Sequence, residues 1–177
     1  MKRVLRSWLN RILFGAGTEV FWHHREKAAA AKTSLARRYH NYRCIKICTK
    51  NGASIPSTTR IDGRLTLPHG MSGIFISKGA VIGRGCTVFQ QVTIGSNTIE
   101  GSKTCGAPVI GDDVYIGAGA KIIGGITVGD HVRIGANCVV VEDIPANSTV
   151  VLQKPRILLR QEAADNTFHT FEATNGR

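Results

Sequence analysis

The sequence predicts an all-β core, a β-helix of stacked three-sided coils, with a helical segment in front of it and one loop extruded from it. Three observations predict this. From Ile76 onward, aliphatic residues recur at every sixth position, whereas an amphipathic helix repeats at about 3.6. The 177 residues include 20 Gly but only 6% aromatic side chains, so turns and small aliphatic groups must supply most of the packing. The length suits one well-buried domain with appendages rather than two large domains.

In chain order, the first element is a basic helix. Val4, Leu5, Trp8, Leu9, Ile12 and Leu13 share one face, opposite Arg3, Ser7 and Asn10, with Arg6 and Arg11 flanking. Such a helix packs against a domain or a neighbouring subunit more often than it rests on an anionic membrane, and a peripheral membrane contact is the second reading. The stretch MKRVLRSWLNRILFGAG opens like a secretory leader. Arg6, Asn10 and Arg11 interrupt it, and its apolar run is too short for a bilayer, so neither cleavage nor a membrane span is expected. A second helix is expected from about Glu26 to Ile47, closed by Gly52 and Pro56. Residues 1–50 thus form a helical segment, 51–150 the repeat domain and 151–177 a C-terminal tail, mostly polar and frayed from about Gln161.

Charge is concentrated at the front. Residues 1–50 hold 12 Lys or Arg and 2 acids, and supply +10 of the formal +11. That balance attracts phosphorylated cofactors or an anionic surface. No groove-reading helix is evident among these charges, so nucleic acid is not an expected partner. Five cysteines, an odd number without a paired framework, read as reduced thiols in a cytoplasmic chain, with the inner membrane face compatible with the basic helix. Cys44 and Cys48 lack partners for a zinc site and read as semi-buried thiols.

The repeat itself is regular. Hexads ISKGAV, IGRGCT, VFQQVT and IGSNTI start at Ile76, Ile82, Val88 and Ile94; IGDDVY, IGAGAK, IIGGIT, VGDHVR, IGANCV and VVEDIP start at Ile110, Ile116, Ile122, Val128, Ile134 and Val140. Each hexad can be one short strand and turn, with the first residue filling the interior and three hexads closing a coil. The fifth positions, among them Cys86 and Cys138, are further core fillers. Between the two runs stands EGSKTCGAPV, residues 100–109, ten residues that must leave the prism as a loop, where repeat proteins place function.

The segments LPHGMSGIFISKGAVIGRGCTVFQQVTIGSNT and PVIGDDVYIGAGAKIIGGITVGDHVRIGANCVVVEDIPANSTVVLQKPR, with the loop between them, resemble the hexapeptide-repeat acyltransferases, and within them the serine acetyltransferase branch. The resemblance covers roughly residues 51–157. It implies a left-handed parallel β-helix, a homotrimer, and acetyl transfer from acetyl-CoA to a hydroxyl. Such a transfer needs a base for the hydroxyl proton, a task that suits an imidazole. The resemblance gives that role to His69 in LPHGMSG. His131, at a polar hexad position, carries no such match. For acetyl-CoA the resemblance implies a groove between adjacent prisms, lined by Gly95, Gly117 and Ala118, with Lys121, Arg133, Lys154 and Arg156 as cations for the phosphates.

Three departures from the family pattern bear on the acceptor. Pro68 replaces the acid before the histidine, Ser54 the upstream acid that orients the imidazole, and Gly106 and Ala107 an Arg-His pair. A zwitterionic serine would miss both charged partners. Serine-acetyltransferase-like proteins with this LPH form resemble those associated with surface polysaccharide synthesis, and that resemblance implies a sugar hydroxyl as acceptor, met by Gln90, Gln91, Ser96 and Asn97, with Asp62 or a backbone carbonyl orienting the ring. Serine acetyl transfer for cysteine synthesis is the alternative, and a non-catalytic trimeric scaffold the second. A metal-dependent relative of the hexapeptide carbonic anhydrases would need three zinc-binding histidines, where the repeat holds only His69 and His131, so no metal is expected.

Overall fold

The computed structural model describes residues 16–163, 166 and 167. The basic helix expected over Val4 to Leu13 lies outside them, as does most of the tail beyond residue 163. Two helices open the described chain, α1 (Ala16–Ala30) and α2 (Ser34–Lys50). The single helix expected from Glu26 to Ile47 is therefore broken. Thr33 is extended, at φ −111 and ψ 148, and its hydroxyl accepts from Ala36 N, which starts a new helix at Ser34. The two helices run antiparallel: His24 meets His40, and the Cys44 thiol points to the Phe21 carbonyl. Burial pushes the Cys44 thiol up to about 11, with Cys48 adding to the shift. Both thiols are buried, where the sequence suggested half-buried ones.

The rest is a three-sided prism in which every strand pairing is parallel. One face holds β1 (Arg60–Ile61), β3 (Val81–Ile82), β6 (Val109–Ile110) and β9 (Thr127–Val128). The next holds β4 (Thr87–Val88), β7 (Tyr115–Ile116), β10 (Arg133–Ile134) and β12 (Thr149–Val150). The third holds β2 (Phe75–Ile76), β5 (Thr93–Gly95), β8 (Lys121–Ile123) and β11 (Val139–Val140). In each strand up to β11, the residue that opens a hexad faces inward, because strand side chains alternate and only one side has a core. The hexad openings consequently stack: Ile76 on Ile94, Ile122 and Val140, and Ile82 on Ile110 and Val128. Cys86 and Cys138 are fully buried in the same column.

Both ends of the repeat differ from the sequence reading. Ser54 bridges Phe75 and Thr66 bridges Thr87, each 21 residues on, so a further coil with inward Ile55, Ile61 and Leu67 precedes Ile76. These residues keep the six-residue step, but the next step, from Leu67 to Ile76, is longer, which hides the coil from a search at period six. At the far end Ile144 bridges Val128, 16 residues on, so the VVEDIP unit is cut short. The helices close on the first coil. Phe21 and Trp22 share a buried cluster with Ile55, and the Arg25 guanidinium donates to the carbonyls of Pro56, Ser57 and Thr59. Among the described residues no helix is long and apolar enough to cross a membrane.

Candidate active site

The long step between Leu67 and Ile76 adds three residues to one edge of the prism, and His69 sits in that bulge. Gly70 N donates to the Leu67 carbonyl and Ile74 N to that of Met71, while the buried Met71 side chain anchors the bulge in the core. Gly73, at φ 65, lies against the next coil, where a Cβ would fall 3.3 Å from Gln91 Cα. Gln91 itself takes the left-handed conformation, at φ 62, and its N–H donates to the Ser72 carbonyl. The bulge is thus laced to the FQQ turn one coil on.

That turn supplies the contacts of the His69 ring. Nδ1 lies 2.7 Å from Gln90 Oε1, and the ring meets Phe89 edge-on, at 5.4 Å and 89°. Phe89 leans in turn on Tyr115, at 5.1 Å. A third coil holds the turn from behind: Gly119 N donates to the Gln90 carbonyl, and Lys121 Nζ donates to the carbonyls of Gln91 and Gly119 at 2.7 and 2.9 Å. The imidazole itself is exposed on the edge of the single chain.

The predicted residues separate into groups. His69, Gln90, Gln91, Gly117, Ala118 and Lys121 gather on this one edge. Ser96 and Asn97 leave from the next edge, after β5, and they do not form one site with His69 in a single chain. Asn97 is committed elsewhere: its Nδ2 donates to Ser102 and Thr104 Oγ1, and its Oδ1 accepts from Ile99 N. It builds the loop rather than presenting an amide to a substrate. The loop closes between Asn97 and Gly106, which exchange two backbone hydrogen bonds of 2.8 Å, earlier than the expected 100–109. Its return strand rests on the Gly124-Gly125 pair, where a Cβ on Gly125 would meet the Cys105 carbonyl at 2.7 Å.

The expected cations stand in different surroundings. Lys121 is spent on two carbonyls beside the histidine. Arg133 is exposed on the outer side of β10, paired in register with Tyr115, and the two line a surface hollow of about 360 Å³. Lys154 and Arg156 are exposed on an extended segment after β12. The small residues have structural reasons as well: a Cβ on Gly117 would lie 2.7 Å from Ala136 N, and one on Gly95 2.8 Å from Ile123 Cδ1. Asp62, expected to orient His69, stands on a different edge near Arg84. Ser54 is a strand-bridging residue. His131 takes a left-handed turn at φ 57, with Nδ1 3.8 Å from Asp113 Oδ2, on that same other edge. Among the described residues no three His, Cys, Asp or Glu groups come together to hold a metal.

Comparison with known proteins places this edge in context. Residues 107–141 match the family described as bacterial transferase hexapeptide (six repeats). The serine acetyltransferase of Bacillus licheniformis is 37% identical over 157 residues, which cover 88% of this chain and 70% of that protein. The chain belongs to the serine acetyltransferase family. A Staphylococcus aureus serine acetyltransferase is 38% identical over 148 residues, covering 82% of this chain and 67% of its own length. Among solved structures, isoform 3 of the Entamoeba histolytica enzyme, in complex with cysteine, superposes with a TM-score of 0.60 at 36% identity. It covers 71% of this chain and 44% of its own, so this chain spans under half of that structure. The Neisseria gonorrhoeae enzyme, at 0.60 and 28%, covers 86% of this chain and 58% of its own. The prism is accordingly a left-handed parallel β-helix with a helical segment in front, as the resemblance implied. These relatives are named for serine, and none of them supports the expected saccharide acceptor.

Proposed function

We propose that this chain transfers acetyl from acetyl-CoA to a hydroxyl, with His69 as general base. The observation that carries the reading is the bulge at Leu67–Ile76, which holds one imidazole on a rigid edge beside a polar turn. In the reaction, the hydroxyl oxygen attacks the thioester carbon as its proton passes to His69; the C–S bond then breaks, and the proton goes on to the CoA thiolate. Gly117 and Ala118 would line the pantetheine arm, and Arg133, Lys154 and Arg156 would meet the phosphates. His69 and the Asn97–Gly106 loop occupy different edges of one prism. A homotrimer, as the family resemblance implies, would bring one copy's loop to its neighbour's histidine.

The relatives' names make free serine the first acceptor to test. A second reading, a neutral sugar hydroxyl, rests on the edge itself. Pro68 precedes the histidine where an acid was expected, and at Gly106, where an arginine was expected, φ is 134 and a Cβ would sit 3.2 Å from Gly125 Cα. Thiol release from acetyl-CoA, followed with serine and with a panel of sugars, separates the two. Turnover with serine alone removes the sugar reading; turnover with sugars alone removes serine. No release with any hydroxyl leaves a trimeric scaffold.

A further inference from the structure

We propose that Gln90 is the positioning residue of His69: its amide oxygen accepts the Nδ1 proton, which fixes the tautomer and leaves the Nε2 lone pair to act as base. This rests on the transferase reading above. A histidine can take one proton from a hydroxyl only if the nitrogen facing that hydroxyl carries none, so some group must hold the single proton of the neutral ring on the other nitrogen. Here the group in place is an amide oxygen, 2.7 Å from Nδ1.

Three features make Gln90 a fixed partner rather than a passing neighbour. Its backbone carbonyl is tied to Gly119 N. The adjacent Gln91 is tied to Ser72 within the histidine's own bulge and to Lys121 Nζ behind it. Phe89, on its other side, presses edge-on against the same imidazole. Consecutive residues of one turn thus hold the ring from two directions and hold the turn to the coils on either side. The sites where a carboxylate was expected carry Ser54 and Pro68, and Asp62 is on another edge. A neutral acceptor orients the ring without the extra stabilisation of imidazolium that a carboxylate would add. Gln90 is therefore assigned to the histidine, not to the substrate.

The test uses the full chain. Nitrogen-15 NMR of the imidazoles, which needs no substrate, should show His69 as the Nδ1–H tautomer, and Gln90→Leu should lose that signature. In the acetyl-transfer assay, Gln90→Leu should lower kcat by roughly 10-fold or more, the scale of loss when a group that orients a histidine is removed, with KM little changed and the melting temperature kept. Gln90→Glu should recover most of kcat and move the acid limb of the pH profile to higher pH, because its carboxylate stabilises the protonated ring. An Nε2–H tautomer in the unaltered chain overturns the proposal. So does a Gln90→Leu enzyme that loses only KM, which would make Gln90 a substrate contact. If no acceptor turns over, the transferase reading fails while the NMR result still decides the tautomer.

Discussion

At the scale of single residues, His69 was nameable as a candidate base from the family resemblance, a histidine just ahead of a strict repeat. Its partner was not, because Gln90 lies one coil away and only the register of parallel strands brings it back to the same edge. The sequence could name candidate acids but could not say on which edge of the prism each would fall. If His69 is the base, His69→Ala should lower turnover about 100-fold or more while the melting temperature stays unchanged, since the imidazole is exposed. The thiols give a second residue-level prediction. Cys44, Cys48, Cys86 and Cys138 are buried and Cys105 is exposed, and burial pushes the thiols of Cys44, Cys48 and Cys86 up. Labelling with Ellman's reagent at pH 8 should therefore show one fast thiol per chain, rising to five in guanidinium.

Among elements, the helical segment was legible as helical but not as two helices. The break is made by Thr33, whose capping role depends on its hydroxyl reaching Ala36 N, a signal weaker than the helix formers on either side. Thr33→Ala should cost about 1 kcal/mol in denaturant unfolding, the usual loss for a helix cap. Between the two helices, His24 Nδ1 lies 2.8 Å from His40 Nδ1, so one ring must donate and the other accept. Burial, then the positive charge of Arg43, holds His24 below the ordinary histidine range. The unfolded chain thus binds a proton that the folded chain resists. The contribution of neutral His24 is present above about pH 6.5 and is lost as pH falls below it. Melting temperature should drop between pH 7.5 and 5.5, and His24→Phe should flatten that slope.

For the whole molecule, the prism was the most legible feature, because a period of six with an aliphatic opening residue has one economical solution: a ladder of inward side chains. What escaped was the first coil, in which Ile55, Ile61 and Leu67 keep the period but the bulge carrying His69 breaks it. The deviation that obscured the first coil is the one that carries His69, the proposed base. Removing a rung should be expensive. Ile116 is fully buried between Val88 and Ile134, and Ile116→Ala should cost about 2–5 kcal/mol by chemical denaturation, since parallel coils collapse poorly around a void.

Phe21 and Trp22 continue the aliphatic column past its first coil. They act as a stopper: a stack of parallel strands is open at its ends, and an uncapped end offers both apolar surface and unpaired backbone to another copy. Cutting the chain before residue 51 should therefore yield a protein that polymerises end to end, seen as concentration-dependent light scattering. A front segment that looked like an appendage is in this sense what keeps a one-dimensional lattice finite.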